Sequence, residues 1–382
     1  MISNPFSAIG LPRQDLLFWA DRHEFKEKFI QYLKIPDSQN VKTMVLTGEY
    51  GAGKTHALLF AKITCEQSTP PIPVVYISSP GGSYCELYRK IIETLGFDEI
   101  ILTFDTLISK NKERILSAIE KVPTERQELR HVESLSTERI VKRSFPDIDS
   151  DLGIVLAQVY NDRNLDLCRS WLLGRELTKM EMGKLNVSKS IISDETAQDI
   201  LGDILKILMS DRLQFILLID EFEDVANLPR NDLVEYQKAF RMFLDQNIAG
   251  LKIILAWTYS SYLEFTEERG MFSSRKTYTA LSDRLKYNME QLKALEGKDL
   301  VDFLSDTIAR TNTGPLKKCI EPKAIEYLEK NNSQWQPRQL NVVMNRAFEL
   351  AISKKHFPIN AALIKDALVQ TGTKKGPSDK VA

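Results

Sequence analysis

The octapeptide Gly48-Glu49-Tyr50-Gly51-Ala52-Gly53-Lys54-Thr55 constrains this chain more than any other stretch, because of its flanks. The apolar run Met44-Val45-Leu46-Thr47 precedes it and the helical run Ala57-Leu58-Leu59-Phe60-Ala61 follows. A strand that enters a glycine-rich turn and leaves as a helix points main-chain N–H groups, and the positive end of the helix dipole, at a single spot. Polyphosphate fits such a spot. Lys54 is expected to reach the β- and γ-phosphates of ATP and the Thr55 hydroxyl to hold Mg2+, with Gly48 to Gly53 and His56 forming the cradle.

A loop that hydrolyses its ligand needs carboxylates at the end of a neighbouring strand, and Phe215-Ile216-Leu217-Leu218-Ile219-Asp220-Glu221 supplies them. Five apolar residues in succession predict a strand buried on both faces of a parallel sheet, ending where the chain turns acidic. Asp220 is expected in the Mg2+ shell, and Glu221 to polarise water for attack on the γ-phosphate.

With 382 residues, 43% of them hydrophobic and 27% charged, the chain can bury one large or two ordinary domains. No apolar stretch approaches the roughly 20 residues of a membrane span, and the amino terminus lacks a signal-peptide pattern, so a cytoplasmic protein without a membrane partner is expected. Cys65, Cys85, Cys168 and Cys319 have no paired spacing and are expected as reduced core residues. The four histidines form no ligand cluster, so no metal beyond the nucleotide's Mg2+ is expected. A net charge of −1 neither demands nor excludes nucleic acid.

Periodicity predicts an amphipathic helix over 19–33, a second strand over 73–77 closed by a Ser/Pro/Gly turn, and a helix over 84–95. From about 105 to 205 the pattern is helical, polar and long, which marks an insertion. A helix over 233–246, a strand over 252–258, a polar connection carrying Arg269, Arg275 and Lys276, and a short strand over 287–292 follow. Beyond Gly297 everything reads as helix, over 299–309, 322–330, 337–354 and 360–370. Buried strands joined through helices imply an α/β fold, a three-layer α/β/α parallel sheet with its ligand at the carboxyl ends of the strands. The expected organisation is a nucleotide-binding domain over 1–296, a helical lid over 297–371 and a disordered tail over 372–382.

Thr258 ends the strand after the acidic one, where its hydroxyl would meet the attacking water or the γ-phosphate; Thr at a strand end also has ordinary reasons. In Trp335-Gln336-Pro337-Arg338-Gln339-Leu340, proline opens a helix and Arg338 stands in its first turn, a poor place for a cation against the helix dipole. An anionic partner would remove that conflict; a solvated surface arginine is the alternative.

With these residues the chain resembles an AAA+ ATPase, most similar to the initiator group of archaeal origin-recognition proteins and replicative-helicase loaders. Thr258 then resembles the first sensor and Arg338 the second. Ala20-Asp21-Arg22-His23-Glu24-Phe25 is similar to the motif that borders the adenine pocket in that group, which implies a cofactor contact for Arg22. Arg284, in Leu281-Ser282-Asp283-Arg284-Leu285, stands where such proteins carry an arginine finger for the neighbouring subunit; a salt bridge is the alternative. The insertion departs from the initiator pattern. Its Trp171-Leu172-Leu173-Gly174 resembles ATPases of the BREX phage-defence type, while Trp171 alone also reads as a buried helix anchor. After the lid the sequence leaves no room for the winged-helix domain with which initiators grip duplex DNA.

Between Lys110 and Arg143, nine Lys/Arg stand against six Glu, a modest positive excess of mixed sign. Weak, salt-sensitive and non-specific DNA contact is expected, chiefly as the resemblance implies. The expectation is therefore an ATPase using ATP and Mg2+, assembled with itself or with another ATPase, helicase or nuclease, that loads or remodels a partner on DNA in replication, transposition or phage defence. The rival expectation is a nucleotide-gated scaffold or sensor with little turnover. A small-molecule kinase is disfavoured by the sensor-and-lid layout.

Overall fold

The computed structural model of the chain describes residues 4–6, 18–36, 42–120, 141–142, 144–246, 248–266, 276–286, 288–310 and 314–373. In chain order, α1 (His23–Lys34), β1 (Lys42–Gly48), α2 (Lys54–Glu66), β2 (Val74–Ile77) and α3 (Tyr84–Leu95) form the first half of the sheet layer. Next come α4 (Phe97–Glu120), α5 (Ser150–Tyr160), α6 (Leu165–Leu172), α7 (Lys179–Leu185) and α8 (Asp194–Met209). The sheet resumes with β3 (Phe215–Ile219), a 3-10 turn (Phe222–Asn227), α9 (Arg230–Leu244), β4 (Leu251–Thr258), α10 (Tyr259–Thr266), α11 (Lys276–Lys286) and β5 (Met289–Gln291). Then follow α12 (Gly297–Arg310), α13 (Leu316–Cys319), α14 (Pro322–Asn331), α15 (Pro337–Ser353) and α16 (Ala361–Thr371).

The strands lie in the order β2-β3-β4-β1-β5, all parallel. Successive side chains on a strand point to opposite faces, and here both faces are dry. Val45, Leu217, Ile219, Ile253, Leu255 and Trp257 pack with α3, α8 and α9, while Met44, Leu46, Ile216, Leu218, Ile254 and Ala256 pack with α1 and α2. This is the expected α/β/α sandwich. The register opposes Gly48 to Thr258 and Ile219 to Leu255, so β1, β3 and β4 end together with their loops on one rim.

Local chemistry fixes the helix starts. Ser83 caps α3 by accepting from the Glu86 amide at 3.2 Å, and the Glu86 carboxylate accepts from Gly82 N at 2.9 Å. Ser193 caps α8 in the same way, and Thr178 and Glu181 form a reciprocal capping box on α7. At the far end of α1 the cap is a side chain from the sheet. Lys252 of β4, 1% exposed, donates to the carbonyls of Tyr32, Leu33 and Ile35, meeting the negative end of the helix dipole.

The described residues of the segment over 105–205 are largely helical, as expected, but its last helix belongs to the sandwich. Ile200, Leu201, Ile204, Leu205 and Leu208 of α8 are buried in the cluster that covers the sheet. Trp171 is fully buried and donates through Nε1 to the Lys189 carbonyl at 2.8 Å. The carbonyls of Leu172, Leu173 and Gly174 accept from Tyr88 and Arg89 of α3. The Trp-Leu-Leu-Gly stretch is thus the fastening between insertion and core, and Trp171 is the buried anchor. All four cysteines are buried, and none is in a disulfide.

The helix expected from residue 19 begins at His23. Asp21 and Arg22 take left-handed backbone angles, φ 63° and 58°, which break the helical path and leave Trp19 and Ala20 in an extended lead. Those two neighbours diverge. Trp19 packs on Phe25, Phe29, His56 and Phe60 of the sandwich, whereas Ala20, with Phe6, joins the hydrophobic cluster of α12 to α16. Asn4 bonds Asn345 of α15 at 2.8 Å, so the amino-terminal residues lie on the carboxy-terminal helical region. Arg269, Arg275, Tyr287, residues 121–140 and Arg143, and the tail beyond residue 373 fall outside the described residues, and so does the side chain of Lys276.

Candidate functional site

The glycine-rich loop runs from the end of β1 into α2. Gly51 and Gly53 have φ of 84° and 100°, a region in which glycine is unstrained. At Gly51 space is short as well, since a Cβ would lie 3.0 Å from Arg338 Cβ. That missing side chain lets the helical region come down on the loop. The Arg338 amide donates to the Gly51 carbonyl at 3.3 Å, its guanidinium donates to the Tyr50 hydroxyl at 2.7 Å, and its charge stands 5.1 Å over the Tyr50 ring.

Between loop, strand ends and helical region lies a cavity of about 520 Å3. It is lined by Tyr50 to His56 with Asp220, Glu221, Glu223 and Asp224, and also by Pro5, Phe18, Trp19, Leu295 and Phe303. Polar groups suited to phosphates and apolar ones suited to a base thus share one cavity. Arg22 and Arg338 also line the cavity.

Lys54 donates to the Gly48 carbonyl at 2.8 Å and stands 3.5 Å from the Thr258 hydroxyl. Burial lowers its pKa, against the attraction of Glu223, Asp220, Glu49 and Glu221. Asp220 is 3% exposed and burial raises its pKa, while the Thr55 hydroxyl, the Glu221 amide, the Tyr76 hydroxyl and Lys54 pull it back. Glu221 is raised too, by burial first and then by repulsion from Asp220, Asp224 and Glu223, and it sits at a left-handed φ of 51°. Strained backbone of this kind collects at functional sites.

This crowd of carboxylates beside one ammonium fits a divalent cation, which would relieve their repulsion. Thr55 and Asp220 would hold Mg2+. Among the described residues no three His, Cys, Asp or Glu side chains converge as a metal site of their own. The ion would therefore arrive with nucleotide phosphates and keep several waters, as Mg2+ commonly does.

Lys54, Thr55, Asp220, Glu221 and Arg338 line this one cavity, and Thr258 lies beside it, 3.5 Å from Lys54. Arg22 lines the cavity as well. Its guanidinium donates to the Ala52 carbonyl at 2.9 Å and to the Lys293 carbonyl, so it braces the loop against the strand-to-helix connection. Arg284 lies outside this cavity, in the last turn of α11, and grips Asp245 at 2.6 and 2.8 Å. Sequence reading passed over Glu223, Asp224 and Tyr76. Glu223 accepts from the Thr258 amide at 3.1 Å and from its hydroxyl, Asp224 accepts from Ser79 at 2.9 Å, and Tyr76 donates to Asp220 at 3.1 Å. The available signal was the acidic run Asp-Glu-Phe-Glu-Asp, which extends past the first two carboxylates.

Residues 12–301 of the 382 match the family model described as "BREX system ATP-binding protein BrxC/D". The chain belongs to this family. Among solved structures, the ORC2 protein of Aeropyrum pernix, described as ADPNP-ADP complexes, is 12% identical with a TM-score of 0.50 over 95% of this chain and 72% of that one. Cdc6p of Pyrobaculum aerophilum is 11% identical with a TM-score of 0.45, covering 96% of this chain and 70% of that one. No curated protein matches at a significant level. The BrxC/BrxD family member therefore has a P-loop α/β fold with a helical carboxy-terminal region, and its family is described as ATP-binding. Among its described residues no helix is long and apolar enough to cross a membrane.

Proposed function

We propose that this protein hydrolyses ATP to ADP and phosphate and couples the cycle to closure of α12 to α16 over the nucleotide. The supporting observation is the single cavity in which the loop, the acidic end of β3 and Arg338 of α15 meet. Lys54 and the loop amides bind the phosphates; Thr55 and Asp220 would hold Mg2+, which would supply charge neutralisation there. Glu221, its pKa raised by burial and the neighbouring carboxylates, orients the water and takes its proton. Thr258, beside Lys54, and Arg338 of α15 contact the terminal phosphate. The apolar wall of Phe18, Trp19, Leu295 and Phe303 receives the base and excludes water.

Turnover is read as serving assembly. Arg284, released from Asp245, reaches the site of a neighbouring copy or of another ATPase, helicase or nuclease, and the assembly loads or remodels a partner on DNA with weak, salt-sensitive contact. Measuring phosphate release by wild-type protein and Glu221→Gln tests the first step. The variant is expected to keep Mg-ATP binding and to lose turnover by about 100-fold or more. Equal turnover in both proteins would remove Glu221 from the chemistry. ATP-dependent complex formation with no turnover in the wild type would instead make the protein a nucleotide-gated scaffold.

A further inference from the structure

Glu223 holds the positions a terminal phosphate would need. Its carboxylate accepts from both the main-chain amide and the hydroxyl of Thr258, and among the charges acting on the buried Lys54 ammonium it exerts the strongest attraction. Lys54 itself stands 3.5 Å from the same Thr258 hydroxyl. Two Thr258 donors thus hold one carboxylate at the cavity wall, within the electrostatic reach of the Lys54 ammonium. A phosphoryl group carries the same charge sign and the same taste for these donors.

We propose that Glu223 is a specificity-determining residue that sets the ATP-to-ADP preference by standing in for the terminal phosphate. A triphosphate reaches Lys54 and Thr258 only by displacing the carboxylate, whereas a diphosphate leaves it in place. The carboxylate therefore taxes ATP and spares ADP, and its displacement is felt at the 3-10 turn that carries it and at Ser79, which Asp224 of the same turn holds. The idea rests on the nucleotide reading of the cavity given above.

The test is equilibrium titration of the full-length protein with Mg-ADP and with a non-hydrolysable Mg-ATP analogue, so that turnover plays no part. Glu223→Gln keeps the shape and removes the charge; the analogue is expected to bind about tenfold more tightly while ADP affinity stays within about twofold. Glu223→Asp, which keeps the charge and shortens the reach, should move the ratio the same way by a smaller factor and serves if the first variant does not fold. Thr258→Val removes the hydroxyl anchor, and combining it with Glu223→Gln should be non-additive in the ratio. Affinities for both nucleotides that move together, or a ratio that stays fixed, overturn the proposal alone. A wild-type protein that binds neither nucleotide overturns the cavity's reading and this proposal with it.

Discussion

Asp21 shows how a single side chain can carry a pH dependence. It is 3% exposed, and burial, with Asp299 and Asp302 nearby, pushes its pKa from 3.8 up to about 6, against the pull of Arg22. The folded protein thus keeps this proton until about pH 6, while the unfolded chain releases it near 3.8. Its contribution is fully favourable below the lower value and is lost as pH rises through the upper one. Between pH 5 and 7.5 the wild type should lose of order 1–2 kcal/mol relative to Asp21→Asn, measured as the difference in urea-unfolding free energies. A difference that stays flat, or slopes the other way, would show that Asp21 is charged throughout. Residue identities at the rim were legible because each sat in a patterned context: Lys54 in its loop, Asp220 at the end of an apolar run, Arg338 after a helix-starting proline. Glu223 was not legible, because its meaning comes from β4 lying beside β3, a neighbourhood set by topology and not by spacing in the chain.

At the scale of elements, the strands and most helices were readable from their periodicity, and boundaries moved by up to three residues where hydrogen bonding decides them. The start of α1 moved further, because two left-handed residues are invisible to a count of apolar positions. The Lys252 cap was equally hidden: a lysine amid apolar β4 gives no hint of the helix end that receives it. Replacing it by Met keeps the volume but leaves the carbonyls of Tyr32, Leu33 and Ile35 without this donor. Lys252→Met should cost about 2–4 kcal/mol, visible as a lower midpoint in chemical unfolding with nucleotide affinity nearly unchanged. A midpoint equal to the wild type would mean that water replaces the ammonium at no cost.

For the whole molecule, α15 touches the glycine-rich loop directly, and on the proposed function nucleotide and helical region would communicate through that contact. Arg338 makes that contact through Tyr50 and Gly51. Arg338→Ala should leave stability without nucleotide within about 1 kcal/mol, since the guanidinium is exposed. In hydrogen exchange it should abolish the extra protection that Mg-ATP gives to α12 and α15. Full protection in the variant would place the coupling elsewhere in the cavity wall.

The parting of Trp19 and Ala20 has a mechanical corollary. One is wedged among the aromatic rings of the sandwich and the other is sunk among the carboxy-terminal helices. A single peptide therefore joins the two hydrophobic clusters right at the head of α1, whose tail Lys252 of β4 holds. Any shift of one cluster against the other would strain that one joint first.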